Sequence, residues 1–157
     1  MARNYWLVKT EPDCYNIDQL VRDKRTGWGG VRNYQARNFM RDGMKVGDGV
    51  LFYHSSCEPP HVAGIARVSK PAHPDPTQFD PKDDHYDPKS QKDDPQWMQV
   101  ELEFVEKFAD PVSLDELRSE PALAKMRLLQ RGNRLSVMPV EASEWELVLK
   151  LGGAKKG

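Results

Sequence analysis

The chain has 157 residues, 38% of them hydrophobic and 30% charged. That composition describes one globular domain with apolar material for a single core, and it excludes a wholly disordered chain. With 23 basic and 24 acidic side chains the net charge is −1, and the only cysteines, Cys14 and Cys57, are too few for a disulfide scaffold and read as free thiols.

The first expected element is Tyr5-Trp6-Leu7-Val8, with the aromatic and β-branched content of a buried strand, closed by Glu11-Pro12-Asp13. Asp13 or Asn16 is placed to cap a short helix whose Ile17, Leu20 and Val21 share one face. Gly27-Trp28-Gly29-Gly30 then breaks the chain before a second helix starting near Asn33. Flanking glycines leave the indole little local packing, which predicts Trp28 as the wall of a pocket and not as core. Met44 to Gly49 reads as a tight turn feeding a strand over 50–54, with a second strand over 62–69 completing a hairpin. Residues 71–97 hold six of the 12 prolines and seven aspartates, and predict a long surface loop anchored by Phe79, Tyr86 and Trp97. Beyond it, Met98, Val100, Leu102 and Phe104 alternate with Gln99, Glu101 and Glu103 in a half-exposed strand, with a bulge or bend at Val105. Ser113-Leu114-Asp115-Glu116 is a capping box, and Pro121 opens a further helical turn. A strand over 134–140 and an amphipathic helix over 141–151, stopped by Gly152-Gly153, complete the series. This irregular mixture predicts a compact α+β domain rather than a parallel βαβ sheet.

The longest apolar runs are far shorter than the roughly 20 residues that cross a bilayer, and Met1-Ala2-Arg3-Asn4 leads into no apolar stretch of signal-peptide length. The expected location is cytoplasmic, or nuclear in a eukaryote. Charge is unevenly spread: residues 1–70 carry 11 basic and 7 acidic side chains, and residues 71–112 carry 4 and 11. The densest basic stretch, 22–45, interleaves Arg22, Lys24, Arg25, Arg32, Arg37, Arg41 and Lys45 with Trp28, Tyr34 and Phe39. Such a patch suits a polyanion with bases to stack, and within it Arg25, Arg37, Arg41 and Lys45 are expected to follow a phosphate backbone. A solvated helix face over core aromatics produces the same pattern.

His54-x-x-Cys57-x-x-x-His61 has spacings a metal site uses, with Cys14 as a fourth donor, but it straddles Pro59-Pro60 and matches no standard motif. Cys57 and His54 as nucleophile and base lack an oxyanion loop and an orienting carboxylate. No GxGxxG, Walker-type or GxSxG signature is present, so no metal or cofactor is expected. What remains is a set of polar groups beside aromatics at strand and loop ends: Lys9-Thr10, Trp28, Arg32-Asn33-Tyr34, Tyr53-His54-Ser55 and Arg134-Leu135-Ser136. Aromatic faces that stack on a ring, with polar groups that read its edge, are what a pocket for a planar heterocycle requires.

The segments Tyr-Trp-Leu-Val-Lys-Thr-Glu-Pro at 5–12, Trp-Gly-Gly-Val-Arg-Asn-Tyr-Gln-Ala-Arg-Asn at 28–38, Val-Gly-Asp-Gly-Val-Leu-Phe-Tyr-His-Ser at 46–55, Gly-Ile-Ala-Arg-Val at 64–68 and Arg-Gly-Asn-Arg-Leu-Ser-Val-Met-Pro-Val at 131–140 resemble the signatures of the EVE domain family. The resemblance implies an α+β, PUA-like pseudo-barrel of mostly antiparallel strands with short peripheral helices. It spans a single domain over 1–153, followed by a short basic tail, 154–157. It further implies a monomeric, non-catalytic module that binds DNA or RNA and takes up a flipped-out modified base, 5-methylcytosine or a related one. By that resemblance Lys9 and Thr10 form the pocket floor, Trp28 the aromatic wall, Val31, Arg32, Asn33 and Tyr34 its rim, Tyr53, His54 and Ser55 the facing strand end, and Arg134, Leu135 and Ser136 the closing strand. Gly29 departs from the pattern, since many members carry Asp there. The alternatives are an enzyme acting on a base in the same pocket, with His54 as acid or base, and a scaffold whose acidic loop binds a protein.

Overall fold

In the computed structural model, which describes residues 3–130 and 135–155, strand β1 (Tyr5–Thr10) turns Trp6 and Val8 to one face and Leu7 to the other. All three are buried, so the sheet is covered on both sides. Strand β3 (Gly49–His54) repeats the pattern, with Val50 and Phe52 on the first face and Leu51 and Tyr53 on the second. The remaining strands are β2 (Arg25–Trp28), β4 (His61–Pro74), β5 (Met98–Ser113) and β6 (Val137–Val140). They form one six-stranded sheet in the order β2-β5-β4-β3-β1-β6, antiparallel throughout except for the β1–β3 pair.

The two long strands, of 14 and 16 residues, bend through several register shifts. At one of them Ile65 pairs with Glu106 and Ala66 with Phe104, which leaves Val105 as the extra residue of the expected bulge. A side chain at Gly64 would collide with the Glu106 carbonyl, so only glycine admits that approach. Strand β4 runs to Pro74, into the segment expected to be loop. Its pairing with β3 ends at Arg67, and Pro71 and Pro74 therefore lie where one edge of β4 is open and a missing N–H breaks no ladder.

Helices α1 (Ile17–Asp23) and α2 (Tyr34–Asn38) contribute Ile17, Leu20 and Ala36 to the Trp6 face, joined by Met40 from the widened helical turn Phe39–Gly43. Helices α3 (Leu114–Arg118) and α4 (Ala142–Leu151) supply Leu117, Trp145 and Val148 to the other. The expected Ser113–Glu116 capping box forms, and Asn16 caps α1 in a further box with Gln19. Strand β2 was not expected, because two of the residues around its end are glycines and its pairing partner is Glu103 to Val100 of β5. Ala154 and Lys155, assigned by sequence to a tail, are held by backbone bonds to the Leu149 carbonyl and the Glu106 carboxylate.

Candidate functional site

The ends of β1 and β2 open into a cavity of about 440 Å³. Lys9 and Thr10 reach it from β1, Trp28 from β2, Val31 and Arg32 from the segment that follows, and Ser136 from the approach to β6. The Lys9 amide donates to the Ser136 carbonyl (2.9 Å) and the Thr10 hydroxyl to the Tyr15 carbonyl (2.8 Å), which ties these segments together. The Lys9 ammonium is half-buried, and burial lowers its pKa. Among the described residues it has no acceptor, which leaves a cation short of water without a partner.

Trp28 is only 9% exposed. Its ring meets Phe52 edge-on at 5.4 Å between centroids and Tyr15 at 6.2 Å. The expectation of a wall and not core is therefore corrected: the glycines offer no packing, but Phe52 and Tyr15 supply it from other elements, and Trp28 is core and wall together.

The segment Gly29 to Arg32 is fixed by Asp75, whose side chain is fully buried. Its carboxylate accepts from the Gly30 amide at 2.6 Å, from Arg32 Nη1 at 3.1 Å and from the amide and hydroxyl of Thr77. Burial alone would raise its pKa, but the hydrogen bonds from Thr77, Gly30 and Arg32 outweigh it and hold the carboxyl below its usual range. Arg32 also donates to the His85 carbonyl at 2.7 Å and lies over Trp97 at 5.2 Å. Trp97 stacks on Tyr34 at 4.9 Å, and Arg37 caps Tyr34 at 4.8 Å, so a column of rings and cations pins the 75–97 loop onto α2. His85, from that loop, lines the cavity against Gly30. A side chain at Gly29 would come within 2.6 Å of Gln99 Oε1 and 2.8 Å of the Asp75 carboxylate. That space is already occupied here.

Several expected residues lie elsewhere. Asn33 caps α2, its side-chain oxygen accepting from the Ala36 amide at 3.0 Å, and Tyr34 is taken up by the Trp97 stack. Tyr53 faces the second core, because strand alternation turns Phe52 and not Tyr53 toward Trp28, and burial pushes its hydroxyl pKa up to about 12. His54 is 6% exposed and lines no part of this cavity. Its Nε2 accepts from the Ile17 amide (3.1 Å), so Nδ1 carries the proton and donates to His61 Nε2 (3.1 Å), while His61 Nδ1 donates to the Pro59 carbonyl (2.8 Å). The Ser55 amide donates to the Thr10 carbonyl, and Leu135 packs against both cores. Arg134 lies outside the described residues.

None of the expected backbone contacts lines the cavity: Arg25 stands 3.7 Å from Glu103, Arg37 donates to the Gln96 carbonyl, Arg41 pairs with Asp42, and Lys45 is exposed. Sequence reasoning missed Tyr15, Thr26, His85 and the buried Asp75. Among the described residues no three His, Cys, Asp or Glu side chains group as a metal ion would require.

The EVE domain model matches residues 4–151. Thymocyte nuclear protein 1 of Rattus norvegicus is 40% identical over 97% of this chain and 75% of its own length. Among solved structures, a Pseudomonas syringae protein is 45% identical with a TM-score of 0.90, covering 94% of this chain and 98% of that one. Human THYN1 protein in complex with DNA containing 5-methylcytosine is 38% identical with a TM-score of 0.89, covering 97% of this chain and 99% of that one.

Proposed function

Because the chain belongs to the EVE domain family, we propose that its cavity receives a modified base, 5-methylcytosine or a close relative, turned out of DNA, and holds it without chemical conversion. Its fold is the α+β, PUA-like one that the sequence motifs implied. The observation that carries the proposal is the half-buried Lys9 ammonium, unpartnered among the described residues, beside the Trp28 indole in a cavity of ligand size, about 440 Å³. A flat heterocycle answers both features: its face lies against apolar surface and an acceptor on its edge pairs the cation. His54, the residue that sequence offered for acid–base chemistry, stands outside this cavity with both ring nitrogens engaged, which favours a reader over an enzyme acting there.

The test is fluorescence anisotropy on two DNA duplexes that differ only in one cytosine methyl group, followed by mass spectrometry of the recovered DNA. Burying one methyl is worth about 0.8 kcal/mol, so the methylated duplex is expected to bind about fourfold more tightly and to be recovered unchanged. Equal affinity would remove the modified-base reading, and a mass change would replace the reader by an enzyme.

A further inference from the structure

The side chains around the cavity differ in what they tell a ligand. Lys9 and Arg32 only donate hydrogen bonds, and Arg32 is engaged by Asp75, Thr77 and the His85 carbonyl. The Thr10 hydroxyl gives its one proton to the Tyr15 carbonyl and has only lone pairs left to offer, and the Ser136 hydroxyl donates or accepts as the partner demands, so it discriminates little. His85 is different. Asp83 accepts from both its amide (2.8 Å) and its ring Nδ1 (3.0 Å), and Arg32 grips its carbonyl through Nε and Nη2 at 3.1 and 2.7 Å. With the proton of the neutral ring on Nδ1, the opposite nitrogen, Nε2, is an acceptor only. That nitrogen lies beside Gly30, whose φ of +74° brings bare backbone against the ring, and among the described residues nothing donates to it.

We infer that His85 is a specificity-determining residue of the cavity, its Nε2 accepting from the exocyclic amino group of a bound base and so selecting cytosine-type bases over those with a carbonyl at the same place. The inference rests on the base-binding reading above. It assigns complementary tasks to two side chains: Lys9 pairs an acceptor on the base edge, and His85 pairs a donor. Cytosine offers both an amino donor and neighbouring acceptors, whereas thymine presents a carbonyl where cytosine has the amino group.

5-Methylcytosine and thymine carry the same methyl group on the same type of ring but differ at N3 as well as at the exocyclic group, so it is the change that a His85 substitution makes in their ratio that reports the amino contact. Duplexes with 5-methylcytosine, cytosine or thymine opposite an abasic site equalise the cost of turning the base out. Wild type, His85→Phe and His85→Gln are titrated at pH 8, with melting temperatures taken alongside. Wild type is expected to prefer both cytosines to thymine. His85→Phe, which keeps a flat ring and removes the acceptor, is expected to weaken 5-methylcytosine binding about three- to tenfold while leaving thymine binding within about twofold. His85→Gln, which restores an acceptor, should recover part of the loss. An equal loss on all three duplexes in His85→Phe, or an undiminished preference for 5-methylcytosine over thymine, overturns the assignment. Both cytosines carry the amino group, so a wild type that prefers them equally over thymine overturns the modified-base reading alone. No binding to any of the three overturns both.

Discussion

The Trp28 indole meets Phe52 and Tyr15 on one side and borders the cavity on the other, so stability and binding depend on one side chain. Trp28→Ala is expected to cost about 3–5 kcal/mol of stability as well as affinity, because truncating a buried aromatic leaves a void beside Phe52. Urea unfolding checks it, and an unchanged midpoint would place the indole outside the core. At His54 the expected effect is on pH dependence. Burial first, then the neighbouring His61, push its pKa from 6.5 down to about 4. Its Nε2 faces the Ile17 N–H and has no room for a second proton. The unfolded chain therefore takes up the proton first as pH falls, so the stability is whole above about pH 6.5 and is lost progressively toward pH 4. At about 1.36 kcal/mol for each pH unit between the two values, the loss reaches up to about 3 kcal/mol. His54→Gln should flatten the stability curve across that window, and an unaltered slope would exclude His54 as its source.

The element that completes the cavity is the 75–97 loop, and its hold on the rest of the chain runs through Asp75. Asp75→Ala leaves the Gly30 amide without its acceptor and the Arg32 guanidinium without its carboxylate, and is expected to cost about 2–4 kcal/mol. Limited proteolysis should then cut within 80–94 much faster than in wild type, and an unchanged rate would mean that the Tyr34–Trp97 stack holds the loop alone. Nothing in the sequence distinguishes Asp75 from the six other aspartates of its stretch, because the partners that tie it to the cavity, Gly30 and Arg32, lie more than 40 residues away. The elements that were legible are those whose cause is local: the Asn16 and Ser113 caps, the alternation from Met98 to Phe104, and the bulge at Val105. Of the expected site residues, Lys9, Thr10, Trp28, Val31, Arg32 and Ser136 meet at one cavity. Tyr53 and His54 do not, although they neighbour motif residues, because adjacency in a strand sends side chains to opposite faces and His54 is drawn into the His61 and Ile17 bonds.

At the scale of the molecule, the basic stretch 22–45 looks stronger in sequence than it is in the fold. Arg22 and Arg41 pair with the neighbouring Asp23 and Asp42, Arg25 stands by Glu103, and Arg32 and Arg37 bond to the acidic loop. Among the described residues, Lys24 and Lys45 are the members of that stretch left without a side-chain partner. Duplex binding should therefore weaken with salt at a log–log slope of about −2, from two phosphate contacts. A slope near −6 would mean that the internal ion pairs open on binding.

The central claim, that the cavity between β1, β2 and the 75–97 loop receives the base, is tested most directly by amide chemical-shift mapping with a duplex carrying one 5-methylcytosine. The shifts are predicted to gather at Lys9, Gly29, Gly30, His85 and Ser136 and at the Trp28 indole N–H, with Tyr53, His61 and Leu117 unmoved. Shifts gathered instead at the groove of Val21, Lys24 and Glu103, with the Lys9 and Gly30 amides unmoved, would contradict it.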